Sequence, residues 1–203
     1  MANIYEFDGV IPVIDSTAFV HPEAVVIGDV IIGPGCYIGP FASLRGDFGR
    51  IILQKGVNIQ DSCTLHAIPG ETTLVETDGH VGHGAILHGC VVKRGALIGM
   101  NSAVIDGAIV HDYAFVSACA FVKAGFEVPP RHLAAGNPAE IVRKLSEKEI
   151  LRKEKGTRLY QRLAQRSIYS LKPAQPMTQI EENRKAVSWE EDTATPLPEN
   201  NRE

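Results

Sequence analysis

Nowhere in its 203 residues does the sequence hold an apolar run approaching the ~20 residues a transmembrane helix requires, and the opening MANIYEFDGV has neither a basic stretch nor an apolar one. A membrane span and a secretory leader are therefore not expected, which predicts a cytoplasmic protein. Basic charge is also scarce, with 20 Lys and Arg against 24 Asp and Glu and a net charge of −4. Nucleic-acid binding needs a concentrated cationic surface to displace phosphate counterions, so that class of partner is not expected either. CxxC pairs are missing: Cys36, Cys63, Cys90 and Cys119 stand far apart, which predicts reduced, buried thiols. Aromatics reach only 6% whereas glycine numbers 19. Such a core is built from aliphatic side chains and tight corners, and that composition calls for a search for repeats.

Aliphatic residues recur every six positions through Val20, Val26, Ile32, Ile38 and Leu44. The period resumes at Leu53, Ile59 and Leu65, then at Val81 and Leu87, and runs on through Val92, Ile98, Val104, Val110, Val116 and Val122. Two places before most of them stands a small residue, as at Ala24, Ala42, Cys63, Ala85, Ala96, Ser102, Ala108, Ala114 and Ala120. This pattern predicts a parallel β-helix in which each short strand turns one aliphatic inward and three strands complete an 18-residue triangular coil. A sandwich of alternating strands would show period two and turn signals every 8–12 residues, which the chain lacks. Strict hexapeptides resemble the left-handed β-helix family, and the handedness comes from that resemblance, against the usual right-handed crossover preference.

The repeat dissolves after Lys123 into AGFEVPPRHLAAGNPAEIVRKL. Next, Ser146 and Glu149 form a capping-box pattern, and Ile150, Leu159, Leu163 and Ile168 predict a helix, with a break or kink at Gly156. Charge divides the same way. Residues 1–140 carry 7 basic and 14 acidic groups, residues 143–172 carry 10 and 3, and residues 173–203 carry 3 and 7. The expected organisation is a hexapeptide-repeat domain over 1–130, a cap turn and helix over 131–172, and a charged, mobile tail over 173–203 that Trp189 docks locally. The fold class is mainly β, a left-handed parallel β-helix with a C-terminal α-helix.

Among seven histidines, His66, His83 and His88 fall close together. Leu65 and Leu87 are equivalent inward positions 22 residues apart, one 18-residue coil plus four inserted residues. His66 and His88, each following its aliphatic, are thus stacked on neighbouring coils, where strands ~4.8 Å apart let two imidazoles converge on one Zn²⁺. His83 follows Val81 by two places, so it points from elsewhere on the coil, and a third ligand from a neighbouring subunit would leave the fourth position for water. His21, His80, His111 and His132 have no such partners and are read as surface or packing residues. Residues 67–79 form an inserted loop beside the site in which Glu71 and Glu76 are read as solvated acids.

LRGD (Leu44 to Asp47), NIQD (Asn58 to Asp61), His66 and HxGHxxxLHGC with His83 and His88 resemble the γ-class carbonic anhydrase family over roughly residues 10–165. Within it, the opening IYEFDGVIPV, ASLRGDFGRI, DGHVGHGAILHGC and KGTRLYQ match a branch that acts in phenylacetate degradation and its relative in carnitine operons. The resemblance implies a homotrimer with zinc sites between subunits, His66 and His88 from one chain and His83 from the next. It implies an intersubunit Arg45–Asp47 ion pair, a Gln60 that orients metal-bound water, support from Asn58 and Asp61, and an approach of Tyr160 to the pocket. Zn²⁺ is the implied cofactor, and Fe²⁺ or Co²⁺ also accept three imidazoles.

Where anhydrases of the family carry two proton-shuttling glutamates, this chain has Phe48 and Pro69. The function implied is therefore a zinc-dependent thioesterase, hydrolysing aryl or ring-modified acyl-CoA in phenylacetate degradation through a zinc-bound hydroxide. Residues 143–172 would attract the CoA phosphates. The alternatives are a carbonic anhydrase, a non-catalytic accessory trimer, and an acyltransferase, which shares hexapeptides and CoA but relies on a single histidine.

Overall fold

From Val26 to Val122, every aliphatic of the six-residue series is buried, and so is every small residue two places before it in the set above. A strand turns successive side chains to opposite faces, so each two- or three-residue strand sends one aliphatic inward and one residue out. The computed structural model describes residues 2–189. Its strands stack in parallel as a left-handed β-helix of about seven turns, with inward aliphatics aligned coil on coil, Leu44 on Leu65 on Leu87 on Val104 on Val122. Three faces result. Face one runs Thr64–His66, Ile86–His88, Ala103–Val104, Phe121–Val122. Face two runs Thr72–Val75, Val91–Val92, Ile109–Val110, Glu127–Val128, and the long strand Ser43–Leu53 bends across the corner between them. Face three runs from Phe19–Val20 through Asn58–Ile59 and His80–Val81 to Phe115–Val116 and closes on the hairpin His132–Gly136 and Ala139–Lys144.

Two insertions fall on the corner between faces one and two. Val30 pairs with Ile51 where Gly28 pairs with Gly46, so Ser43–Leu53 carries three extra residues there. One coil later, residues 67–71 loop out between Thr64–His66 and Thr72–Val75. The inserted loop is therefore shorter than the span 67–79, because strands Thr72–Val75 and His80–Val81 take up most of it.

At the opposite edge of face one, Phe41, Ser62, Gly84, Asn101 and Cys119 form a column of left-handed turn residues, with φ between 54° and 69°. Cys36, Cys63 and Cys90 occupy the small inward position, where burial pushes their thiols up to about 11, 11 and 12. Cys119 lies in the turn column instead and is exposed, contrary to the expectation for all four.

The helix Glu147–Ser170 starts at the expected capping box, with Glu149 N–H donating to Ser146 Oγ and Ser146 N–H donating back to Glu149. It passes through Gly156 without a break. A Cβ at Gly156 would meet His80 Cε1 only at 4.0 Å, an ordinary contact, so neither a kink nor a tight approach requires the glycine. The helix lies along face three, where Tyr160, Leu163 and Ala164 pack on Phe19 and Tyr37. Residues 171–189 follow without regular structure, and the remainder of the tail, 190–203, lies outside the described residues. Among the described residues no helix is long and apolar enough to cross a membrane.

Candidate functional site

Five side chains form a polar chain along the corner carrying both insertions. Arg45 Nη1 donates to Asp47 Oδ2 at 2.6 Å, Asp47 Oδ1 accepts from His66 Nε2 at 3.0 Å, and His66 Nδ1 faces His88 Nε2 at 3.1 Å. His88 Nδ1 then donates to Asp106 Oδ1 at 2.7 Å. The strand register sets His66 directly beside His88, as their spacing requires. The Arg45–Asp47 pair closes within a single chain. Burial works to raise the Asp47 carboxyl, but the hydrogen bond from His66 and the adjacent Arg45 outweigh it and hold the carboxyl below its usual range.

Backbone placement underlies this chain. Thr73 is fully buried, and its hydroxyl donates to the His66 carbonyl at 2.6 Å while accepting from Gly89 N–H at 2.9 Å, so it ties the two histidine strands together. Gly89 has φ +55°, and a Cβ there would come within 2.6 Å of Asp106 Oδ1. Only a residue without that carbon lets the carboxylate reach His88. Phe48 is exposed and sets its ring 5.3 Å from that of His66. That ring is apolar where the resemblance expects an acid.

His83 stands at the other edge of face one, just before Gly84 in the turn column. Its Nδ1 donates to Asp61 Oδ2 at 3.0 Å, Asp61 being the equivalent turn residue one coil earlier, and Tyr160 Oη lies 3.5 Å from its Nε2. The breadth of one strand and its turns separates His83 from His88, on the order of 10 Å, too far to share an ion within one chain. Burial, with Asp61 adding to it, pushes the Tyr160 hydroxyl up to about 12.

Asn58 and Gln60 belong to a third cluster, beneath the helix. Gln60 Nε2 donates to Asn58 Oδ1 at 2.9 Å and to His80 Nε2 at 2.8 Å, and His80 Nδ1 lies 3.2 Å from Thr157 Oγ1. His80 is thus not a loose surface or packing residue but the hub that seats the helix. Burial lowers its pKa to about 3, and the charges of Lys153 and His83 push the same way. Lys153 is buried and donates to the Asp78 carbonyl, and burial brings it down to about 8. Sequence reasoning missed Asp106, Thr73, Thr157 and Lys153. A signal existed for the first, since Asp106 stands one place past Ile105, the residue one coil on from His88.

A family model described as bacterial transferase hexapeptide (six repeats) matches residues 12–46. The carnitine operon protein CaiE of Salmonella agona is 52% identical over 182 residues, spanning 90% of this chain and 92% of its own, and that of Escherichia coli K12 is 53% identical over 90% and 93%. The chain belongs to the bacterial hexapeptide-repeat transferase family. Among solved structures, a Bacillus cereus candidate acetyltransferase superposes with TM-score 0.80 at 38% identity, covering 81% of this chain and 95% of that one. A hexapeptide transferase family protein from Anaplasma phagocytophilum gives TM-score 0.77 at 35% identity, with 80% and 96% covered.

These matches bear out the carnitine-operon relative and correct the expected class of enzyme. The relatives and structural neighbours carry carnitine-operon and transferase names, which replaces the zinc-dependent hydrolase, and its carbonic anhydrase alternative, with a member of a transferase family. Nor does one chain hold a complete metal centre: among the described residues no three His, Cys, Asp or Glu side chains gather where they would bind an ion. Closeness of His83 to His88 in sequence does not survive the coil, because the strand between them carries the two to opposite edges.

Proposed function

We propose that this chain transfers acyl groups carried as CoA thioesters, at a site closed between copies of a homotrimer where His66 and His88 of one protomer meet His83 of the next. The observation that carries the reading is the pair of opposed ring nitrogens. Ionised carboxylates only accept hydrogen bonds, so Asp47 and Asp106 fix protons on His66 Nε2 and His88 Nδ1. The remaining nitrogens then present lone pairs to one another across 3.1 Å, which is repulsive unless a cation lies between them. Two imidazoles on a tetrahedral ion at ~2.0–2.1 Å have their nitrogens roughly 3.3 Å apart, so the donor set fits a divalent ion. Zn²⁺ suits it, and Fe²⁺ or Co²⁺ suit it as well.

Bound there, such an ion supplies a Lewis acid for a thioester carbonyl. The chain's own residues do the positioning. Asp47, braced by Arg45, and Asp106 hold the tautomers and ring planes of the two histidines. Asp61 holds His83 with Nε2 outward, Tyr160 stands beside that nitrogen, and Gln60 with Asn58 keeps His80 and the helix in place behind it. Phe48 lays its ring beside His66. A head-to-tail ring brings one edge of face one against the opposite edge of the next copy, which is how His83 reaches a His66–His88 pair. The exposed Phe41, Ile86 and Met100 on and beside that face support such an interface. The basic count over 143–172 and the likeness to a candidate acetyltransferase support an acyl-CoA donor, and resemblance to the phenylacetate branch supports an aryl acyl group.

The test is CoA thiol release from a series of acyl-CoAs with and without hydroxyl and amine acceptors, with mass detection of acylated acceptor and metal analysis of the same sample. Acceptor-dependent release with about one ion per chain is expected. Absence of acceptor-dependent release from every thioester, with less than about a tenth of an ion per chain after reconstitution, would refute the reading.

A further inference from the structure

The helix and the segment that follows it build an apolar pocket of about 180 Å³, lined by Leu159, Tyr160, Leu163 and Trp189. Trp189 is the single tryptophan of the chain, and two arginines fix it. The guanidinium carbons of Arg162 and Arg166 lie 5.8 and 5.0 Å from its ring centroid, and Arg166 Nη1 donates to the Ser188 carbonyl at 2.9 Å. A basic groove of about 490 Å³ that includes Arg162, Gln165, Arg166 and Tyr169 also borders Trp189. Trp189 is therefore shared by an apolar compartment and a cationic one. Tyr160, a wall of the apolar compartment, sets its hydroxyl 3.5 Å from His83 Nε2.

We propose that the apolar pocket seats the acyl group of a CoA thioester whose carbonyl lies at His83, and that Trp189 sets which acyl groups are taken. The inference rests on the acyl-CoA reading above and adds the acyl class. A thioester carbonyl at His83 starts its acyl group at the Tyr160 wall of the pocket, with Leu159, Leu163 and Trp189 around the apolar atoms. An apolar cavity of ~150 Å³ takes a benzene ring, so this pocket takes one ring or a short branched chain and not a long fatty acyl chain.

The lone tryptophan reports occupancy directly. Metal-loaded full chain is titrated with CoA, acetyl-CoA, phenylacetyl-CoA and palmitoyl-CoA while indole emission is followed, and calorimetry gives affinities for the variants. Phenylacetyl-CoA is expected to shift the emission and bind about tenfold more tightly than acetyl-CoA, with no further gain for palmitoyl-CoA. Trp189→Ala should remove that tenfold preference, and Trp189→Phe should restore most of it. Leu159→Trp, which fills the pocket, should remove it as well. Equal binding of acetyl-CoA and phenylacetyl-CoA by the native chain, or a preference that survives Trp189→Ala, overturns the pocket while the acyl-CoA reading stands. Failure of every CoA thioester to bind overturns both.

Discussion

His66 Nδ1 and His88 Nε2 face each other across 3.1 Å, with Asp47 and Asp106 closing the two outer ends at 3.0 and 2.7 Å. The geometry of the pair is set from behind, by carboxylates on the strand before and the coil after. The polar chain therefore reads Arg45, Asp47, His66, His88, Asp106, with a carboxylate on each outer side of the two rings.

Replacing the rear carboxylate tests whether that support matters. Asp106→Asn keeps the size of the side chain but removes the charge that fixes the proton on His88 Nδ1. Affinity for Zn²⁺, measured by competition with a chelator, should fall by about 10–100-fold. Asp112→Asn, whose partner is Arg94, serves as control and should leave it unchanged. Equal affinities for the two variants would show that Asp106 does not orient His88.

His80 gives a pH dependence of known sign. Its folded pKa of about 3 lies below the ordinary 6.5, so between those values the unfolded chain binds more protons than the folded one. Its contribution is fully present above pH 6.5 and is lost as the pH falls toward 3, with a slope up to about 1.4 kcal/mol per pH unit. Glu149, held at about 2 first by its hydrogen bond to Arg143, adds its own loss only below its ordinary 4.5. Denaturant midpoints between pH 5 and 6.5 thus isolate the histidines. His80→Gln should flatten the profile there, and an unaltered slope would contradict the buried neutral imidazole.

Neighbouring positions on one strand separate folding from assembly. Leu87 is fully buried and Ile86 is 46% exposed. Leu87→Ala should cost about 2–5 kcal/mol in denaturant unfolding, because a rigid coil collapses poorly around a lost side chain. Ile86→Asp should leave the circular dichroism intact and, with the site shared between copies, yield monomers by light scattering that retain no metal. A trimer that tolerates the aspartate would place the interface elsewhere.

The coil was legible because one physical rule, a single inward aliphatic per short strand, repeats from Val26 to Val122. That rule also placed His66 beside His88. It reaches Cys119 as well, which lies three places before Val122 where Cys63 and Cys90 lie two before Leu65 and Val92, and this one-place difference sends it outward. Asp106 stood one place past the residue a coil on from His88, and whether its carboxylate turns back to the ring depends on Gly89, where a Cβ would crowd Asp106 Oδ1. The role of His80 was not legible, since coil periodicity carries no record of the face on which a helix docks. Gly156 misled because helix propensity marks it as a weak point, while the helix that the coil supports on either side of it runs on unbroken.

Complementation between two defective chains decides whether a third ligand comes from another copy. His66→Ala and His83→Ala chains are co-expressed in equal amounts, each with its own tag, and trimers form at random. A site that takes His66 and His88 from one chain and His83 from the next is intact only where a His83→Ala chain supplies the first pair and a His66→Ala chain follows it. Each of those choices has a chance of one half, so about a quarter of the sites should recover metal, although each homotrimer alone has none. Were all three ligands drawn from one chain, every chain would lack one and no mixture could restore any. Mixed trimers verified by mass that bind no more metal than either parent would exclude the shared site. Recovery near a quarter requires that the His66 and His83 of one site come from different chains, because a site that drew both from one chain would always lack one; His88 goes with His66, 3.1 Å away on the next coil.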